Sequence, residues 1–411
     1  MKLKLLIPIL FVSIIITSLT GCASVSTSTV TKTSCSSTLT EENSDSTAGS
    51  NTGTITDETG TLDSTQKDLL KTFEDTWYDS LSTLQSGDIR SLLTDTTSAS
   101  LNQSLLDYIC AERSNQSIDL KLNEYHYELT LTETEQIDDQ TLIVTGYEDF
   151  VVNFAAYPDV DSEGWDAERI FTLRNDGSGW TLASMDSEDS QYSITMGELP
   201  DGQDAEAYYA LRAAALLETA KSNIASRTGG SSSEETGVDV AYNRDAAVAY
   251  ADEWADGRNG EWGDYTDYDG NCQNFGSQVL AAGGIPLDTV GAEIWKWYND
   301  DPDQGAYDYG RSAAWTGVSD FVDYASSNTG YGLSAVVGAP YYSGEKGDLL
   351  LMKSDDNWQH TTVIAQVMTD SEGNTTDYLL DSNTANLRNY PASAYHYSDQ
   401  TLVHILGWNN Q

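Results

Sequence analysis

From Ala23 to about Leu62 the chain is almost entirely Ser, Thr, Gly, Asp, Glu and Asn, without apolar periodicity. A stretch of that composition cannot bury enough surface to offset the entropy of ordering it, so residues 22–62 are expected to be a disordered tether. As a flexible coil of about 40 residues it would reach roughly 35 Å root-mean-square. Folding is thereby confined to the residues beyond Leu62. A second polar run, Arg227-Thr228-Gly229-Gly230-Ser231-Ser232-Ser233-Glu234-Glu235, reads as a linker over 226–238. It divides the remainder into regions 63–225 and 239–411, and 411 residues leave room for two domains.

The first residues bear on the compartment. Met1-Lys2-Leu3-Lys4 is a short basic region, and Leu5 to Thr17 is an apolar run too short to span a bilayer comfortably. Leu19-Thr20-Gly21-Cys22 then places small residues before a cysteine and resembles the lipobox of bacterial lipoproteins. The resemblance implies removal of residues 1–21, lipidation of Cys22, and a protein anchored on the extracytoplasmic face of a bacterial cell membrane. An ordinary secretory signal with an incidental cysteine is the alternative, and export is expected under both readings.

The formal charge of −45 argues against nucleic acid as a partner, because a polyanion would be repelled. The cysteines follow no even spacing, so a disulfide framework is not expected. Cys35 lies in the tether, and Cys110 sits on one face of an amphipathic helix at Leu105–Cys110. A Cys35–Cys110 bridge stays open.

Region 63–225 reads as α+β. Leu69, Leu70, Phe73, Trp77, Leu81 and Leu84 recur at helical spacing, and a second helical pattern covers Leu101 to Ala111. Strands are expected at Tyr125–Thr132, Thr141–Val152, Arg169–Leu173 and Trp180–Met185. Helices followed by such a meander loosely resemble the cone-shaped folds of the nuclear-transport-factor-2 type. A further helix from about Asp204 to Ala225 carries Tyr208, Leu211, Ala215 and Leu216 on one side.

The most informative stretch is Asp269-Gly270-Asn271-Cys272-Gln273-Asn274-Phe275-Gly276-Ser277-Gln278, running to Gly283-Gly284-Ile285-Pro286. A turn leads into a helix, with Asp269 or Asn271 as N-cap and the glycines and proline as its stop. Cys272 then lies in the first turn, where free N–H groups and the helix dipole favour a thiolate. The plainer reading of a lone cysteine is a small buried apolar side chain.

A nucleophilic thiol needs a base, and the chain has only His126, His360, His396 and His404. His360 opens the strand Thr361–Ala365, after the strand Gly347–Met352 and before Tyr378–Asn383. Three antiparallel strands behind the cysteine helix would set His360 opposite the thiol. Asp381 and Asn383 share one face of their strand, and either would hold the imidazole by accepting its Nδ1–H. Gln273 is a speculative oxyanion donor beside the backbone N–H of Cys272. Trp295, Trp297, Tyr298, Trp315 and Trp358 are candidates for the wall of a groove, although packing is the commoner role. The acidic loops at Asp264–Gly270 and Asn299–Asp303 lack the calcium-loop pattern, so no metal or other cofactor is expected.

Tyr242-Asn243-Arg244 with Trp254, Gly270-Asn271-Cys272-Gln273-Asn274-Phe275 with Ser277-Gln278, Ala281–Gly284, Trp315-Thr316, Gly347-Asp348, His360 and Asn383-Thr384 together resemble the putative amidase domain family. That family has a papain-like fold related in layout to the NlpC/P60 cell-wall peptidases. The resemblance implies a thiol nucleophile at Cys272, a general base at His360 and an orienting residue at Asp381 or Asn383. The family usually has Asp-Cys-Thr where this chain has Asn271-Cys272-Gln273. The expected whole is an α+β protein whose C-terminal papain-like helix-plus-antiparallel-sheet domain cleaves amide bonds in peptides or peptidoglycan. An acyl transferase using the same triad, or a non-catalytic surface binding protein, is the competing reading.

Overall fold

The computed structural model describes residues 51–187, 195–230, 237–266, 270–289, 294–297 and 310–411. The expected leader, Cys22, Cys35 and the tether as far as residue 50 lie outside them. So do residues 231–236 of the expected linker. The expected tether extends too far at its C-terminal end. Thr52–Asp57 is strand β1, and it runs parallel to β2 (Leu122–Asp138) with Ile55 opposite Leu129. Its backbone groups gain partners from that strand, which a composition-based reading does not count.

Helix α1 (Ser64–Thr83) starts at a capping box. Asp63 accepts from the Gln66 N–H, while the Gln66 side chain accepts from the Asp63 N–H. Leu70, Phe73, Trp77 and Leu81 form its buried stripe, as their spacing predicts. Helix α2 (Thr96–Ser114) is capped by Asp95, which accepts from Thr97 and Ser98. Both helices pack on a meander of β2, β3 (Thr141–Phe154), β4 (Asp161–Asn175) and β5 (Trp180–Asp186). In β2, Tyr125, Tyr127, Leu129 and Leu131 point inward while Glu124, His126 and Glu128 face solvent, so only one side of this part of the sheet is covered. Helix α3 (Ala205–Ser226) lies against α2 and buries Tyr209, Leu216 and Ala220. Leu211, expected on the packed side, is 73% exposed: the buried stripe is set by 209, 216 and 220, and 211 falls outside it.

The C-terminal region adds α4 (Arg244–Trp254), α5 (Cys272–Ala282), α6 (Ala313–Thr316) and α7 (Val318–Ser327). Its strands are β6 (Val240–Ala241), β7 (Gly332–Ala339), β8 (Leu349–Ser354), β9 (Asn357–Thr369), β10 (Thr375–Ser382), β11 (Asn386–Pro391) and β12 (Asp399–Asn409). The sheet order is β1-β2-β3-β4-β11-β10-β9-β8-β12-β6, with β5 also on β4 and β7 also on β12. Strands from the two expected regions therefore belong to one sheet, joined where β11 pairs antiparallel with β4 through Asn386–Trp165, Leu387–Gly164 and Arg388–Glu163. The Arg388 guanidinium lies 3.0 Å from the Glu163 carboxylate across that junction. The protein is α+β, as expected.

Strands β8 and β9 are buried on both faces. Leu349, Leu351 and Val363 join Cys272, Phe275, Val279 and Phe321 in one core, under α4, α5 and α7. Leu350, Met352 and Ile364 join Tyr341, Tyr378, Tyr395 and Tyr397 in a second core on the other side. The near-continuous apolar run Leu349-Leu350-Leu351-Met352 is what such a strand requires.

Under α1 lies a buried polar cluster. Glu148 accepts from Arg169 Nη2 at 2.8 Å and from the Tyr78 hydroxyl at 2.9 Å. Burial, and then the Glu148 charge, hold the neighbouring Glu74 carboxyl well above the usual range, while Glu148 makes the closer contact with Arg169, 2.8 Å against 3.7 Å from Glu74. Urea unfolding at pH 7 should therefore separate the two carboxyls. Glu74→Gln should stay within about 1 kcal/mol of the parent, while Glu148→Gln should lose about 3 to 5 kcal/mol by stranding the guanidinium.

Candidate active site

The chain turns into α5 through Gly270, whose φ of +113° is open to glycine and strained for other residues. Asn271 stands at the N-cap position, but its side chain caps nothing. It bridges instead. Its Nδ2 donates to Asn383 Oδ1 at 2.7 Å, and its Oδ1 accepts from the Tyr265 N–H at 3.1 Å and from Asn274 Nδ2 at 2.8 Å. The Asn271 N–H donates to Thr384 Oγ1 at 2.6 Å. Asp269, the other expected cap, lies outside the described residues.

Cys272 is thus the first residue of α5, as expected, and the backbone N–H groups of Thr361, Gln273 and Cys272 itself lie near its sulfur. Burial pushes the thiol up from its ordinary value, and these three donors pull against it. No charged side chain of the described residues bears on the thiol.

The structure does not bring His360 to that sulfur. Met352 pairs with His360 and Lys353 with Trp358, which leaves Gln359 as an extra residue and makes a β-bulge. After the bulge, Thr361 faces α5, where its hydroxyl donates to Gln273 Oε1 at 2.7 Å. His360 shares the opposite face with Met352. Its ring stacks on Tyr397 at 5.9 Å and lies 6.1 Å from Tyr395. Its buried Nε2 has no hydrogen-bond partner, and burial pushes its pKa down to about 4. The expected Cys272–His360 contact is corrected accordingly: one inserted residue reverses the phase of the strand.

The orienting residues are corrected in the same way. Asp381 pairs with Val363 and accepts from the Asn389 N–H at 2.9 Å, while its other carboxylate oxygen is buried without a partner. Asn383 donates to the carbonyls of Gly257 at 2.8 Å and Trp254 at 3.1 Å and accepts from Asn271, so its amide has no bond to His360. Gln273 is fully buried between Thr361 and Ser277, which removes it as an oxyanion donor. Sequence reasoning missed the roles of Asn271, Asn274 and Thr384. The signal available was three carboxamides in four positions around a cysteine, Asn271-Cys272-Gln273-Asn274.

Residues 241–406 match the family model described as a putative amidase domain. The C-terminal region is similar to that family over those residues. No curated protein and no solved structure matches the chain. The match supports a hydrolase that cleaves amide bonds. It begins at the end of β6 and runs into β12, so the amidase domain includes α4, α5 and the doubly buried strands.

Within the amidase domain, Trp295 and Trp315 are core residues: their indole N–H groups donate to Ser277 Oγ at 3.0 Å and Asn274 Oδ1 at 2.7 Å. Trp262 and Trp297, both half-buried, lie 5.0 Å apart with their rings tilted by 59° at the edge of that core. Trp358 lies under the Lys353 ammonium, 4.0 Å from the ring centre, and Tyr298 lies outside the described residues. The other histidines are placed elsewhere. His126 Nδ1 contacts Thr52 Oγ1, His404 Nδ1 lies 2.7 Å from Asp348, and His396 is half-buried with its carbonyl accepting from Tyr108. Among the described residues no cluster of His, Cys, Asp and Glu is arranged to hold a metal ion.

Burial pushes Asp381 up to about 7. A carboxyl with a raised folded-state pKa favours the fold most when protonated, so this contribution is full at low pH and is lost as pH rises from about 4 to 7. Asp381→Asn should therefore match the parent in thermal stability at pH 4 and exceed it at pH 8, by on the order of 2 to 4 kcal/mol. Melting curves at the two pH values check this.

Proposed function

We propose that the amidase domain hydrolyses amide bonds through an acyl-thioester on Cys272. The observation that carries this reading is the sulfur at the start of α5, with backbone N–H groups near it, inside the region matched to the family. Such donors stabilise a thiolate without a formal positive charge. The thiolate adds to the carbonyl carbon, and the amine leaves with a proton from the imidazolium that took the thiol proton. Water then attacks the thioester, gives its proton to the same imidazole, and releases the acid and the free thiol.

His360 is the proposed imidazole, and the bulge is how it would arrive. In the arrangement described, Gln359 and His360 lie opposite Met352. Moving the bulge one residue along, so that His360 and Thr361 lie together opposite Leu351, turns the ring to the face of α5. The pairing on either side of the bulge is unchanged. Leaving its tyrosine stack also relieves the burial that holds the ring neutral. Asp381 lies on strand β10, and Asn383 in the turn that follows it.

Lipidation at Cys22 and residence on the outer face of a bacterial membrane complete the proposal, with envelope peptides or peptidoglycan stem peptides as substrates. This rests on the leader and on analogy. The burial of the thiol favours a second reading, a surface binding protein without catalysis.

Iodoacetamide labelling across pH, beside turnover of peptidoglycan fragments by the ectodomain, separates the two. Under the hydrolase reading Cys272 is alkylated well below pH 8, and Cys272→Ala abolishes turnover. His360→Ala lowers kcat by at least about 100-fold. Alkylation only above pH 9, with no turnover, means the binding protein. Turnover that survives His360→Ala removes the bulge step.

A further inference from the structure

We infer that Asn271, Asn383 and Thr384 are positioning residues for Cys272, a unit in which a strained turn grips the start of the cysteine helix. The inference rests on Cys272 as the nucleophile. Strands β10 and β11 are joined through Thr384 and Ala385, whose φ angles are +66° and +51°. Two consecutive left-handed residues make a tight hairpin turn that ordinarily uses Asn and Gly. Side chains with a β-carbon are strained in that region, and such strain persists where the surroundings over-determine it.

The surroundings here are the start of α5. The turn presents two acceptors side by side, Asn383 Oδ1 and Thr384 Oγ1, and Asn271 meets both, with Nδ2 at 2.7 Å and its backbone N–H at 2.6 Å. Asn383 cannot turn its amide round, because its Nδ2 already donates to the carbonyls of Trp254 and Gly257. It therefore carries the pull of α4's C-terminal end through to Asn271. On the other side, Asn271 Oδ1 takes Asn274 Nδ2, whose own Oδ1 takes the indole N–H of Trp315. The residue immediately before Cys272 is thus fixed from the sheet, from α4 and from its own helix. None of these atoms touches the sulfur. What they fix is the start of α5, and with it the residue that carries the sulfur.

Thr384→Val keeps the shape of the turn and removes its acceptor, while Asn271→Ala removes the bridge. Both should move the alkylation midpoint of Cys272 upward by about one pH unit. Both should lower kcat on peptidoglycan fragments about tenfold with KM unchanged, and Thr384→Ser should restore both values. Circular dichroism and the melting temperature report whether each variant folds. A folded Thr384→Val protein with the parent's alkylation midpoint overturns the inference, as does Thr384→Ser behaving like Thr384→Val. The alkylation midpoint is read on the thiol itself. A parent that turns over no substrate while the midpoint still shifts would sink the hydrolase reading and leave the positioning role standing.

Discussion

A strand buried on both faces must commit each side chain to one core or the other, and no position can face solvent instead. β8 and the middle of β9, from His360 to Ala365, are under that constraint. Leu349, Leu351 and Val363 lie beneath the helices, and Leu350, Met352 and Ile364 lie against the tyrosines. The face taken by each residue around position 360 is decided by how this alternation is phased there. With Gln359 inserted, Thr361 takes the place beneath α5, and an imidazole is left among aromatic rings with an unpartnered nitrogen. A buried ring nitrogen without a partner is unfavourable in an otherwise well-satisfied interior. That imbalance makes the bulge the natural place for this structure to have a second arrangement.

The aromatic side of the sheet is also where the two halves of the chain meet. Tyr395 and Tyr397, which hold the His360 ring, flank His396, whose carbonyl accepts from Tyr108 of α2. Arg113, also on α2, donates to the Tyr390 hydroxyl and the Ala394 carbonyl, and the Tyr157 hydroxyl donates to Asp377 at the start of β10. The N-terminal region is therefore built into the packing of the amidase domain as well as into its sheet. Movement of α2 would be felt first by the segment that lies over His360.

The helices were legible because their signals are local. Asp63, Asp95 and Asp204 cap where caps are needed, and the spacing of Leu70, Phe73, Trp77 and Leu81 leaves only one stripe to bury. The start of α5 and the antiparallel order of β8, β9 and β10 were legible for the same reason. What was not legible depends on partners distant in sequence. Thr52–Asp57 is polar enough to read as tether and becomes a strand only because β2 offers it a ladder. Leu211 has the right residue type and the wrong angle. The face taken by His360 depends on a single extra residue opposite Met352, and a period-two reading carried across a bulge gives the wrong side without any local sign of error.

The carboxamides around Cys272 share a logic with that bulge. A thiolate stabilised by backbone N–H groups, with no cation beside it, depends on direction more than on distance, since a hydrogen bond weakens steeply as it bends. Direction at a helix start is set by the residue before it. Here that residue is an asparagine with both ends of its amide engaged, in place of an aspartate that would bring a second negative charge next to the sulfur. Asn271 can donate to Asn383 and accept from Asn274 and Tyr265 at once, which a carboxylate cannot do. The local departure from the family's usual residue is thus consistent with the rest of the site: neutral groups surround a buried sulfur whose thiol burial pushes up, and the nearby N–H groups of the helix and of Thr361 act against that burial.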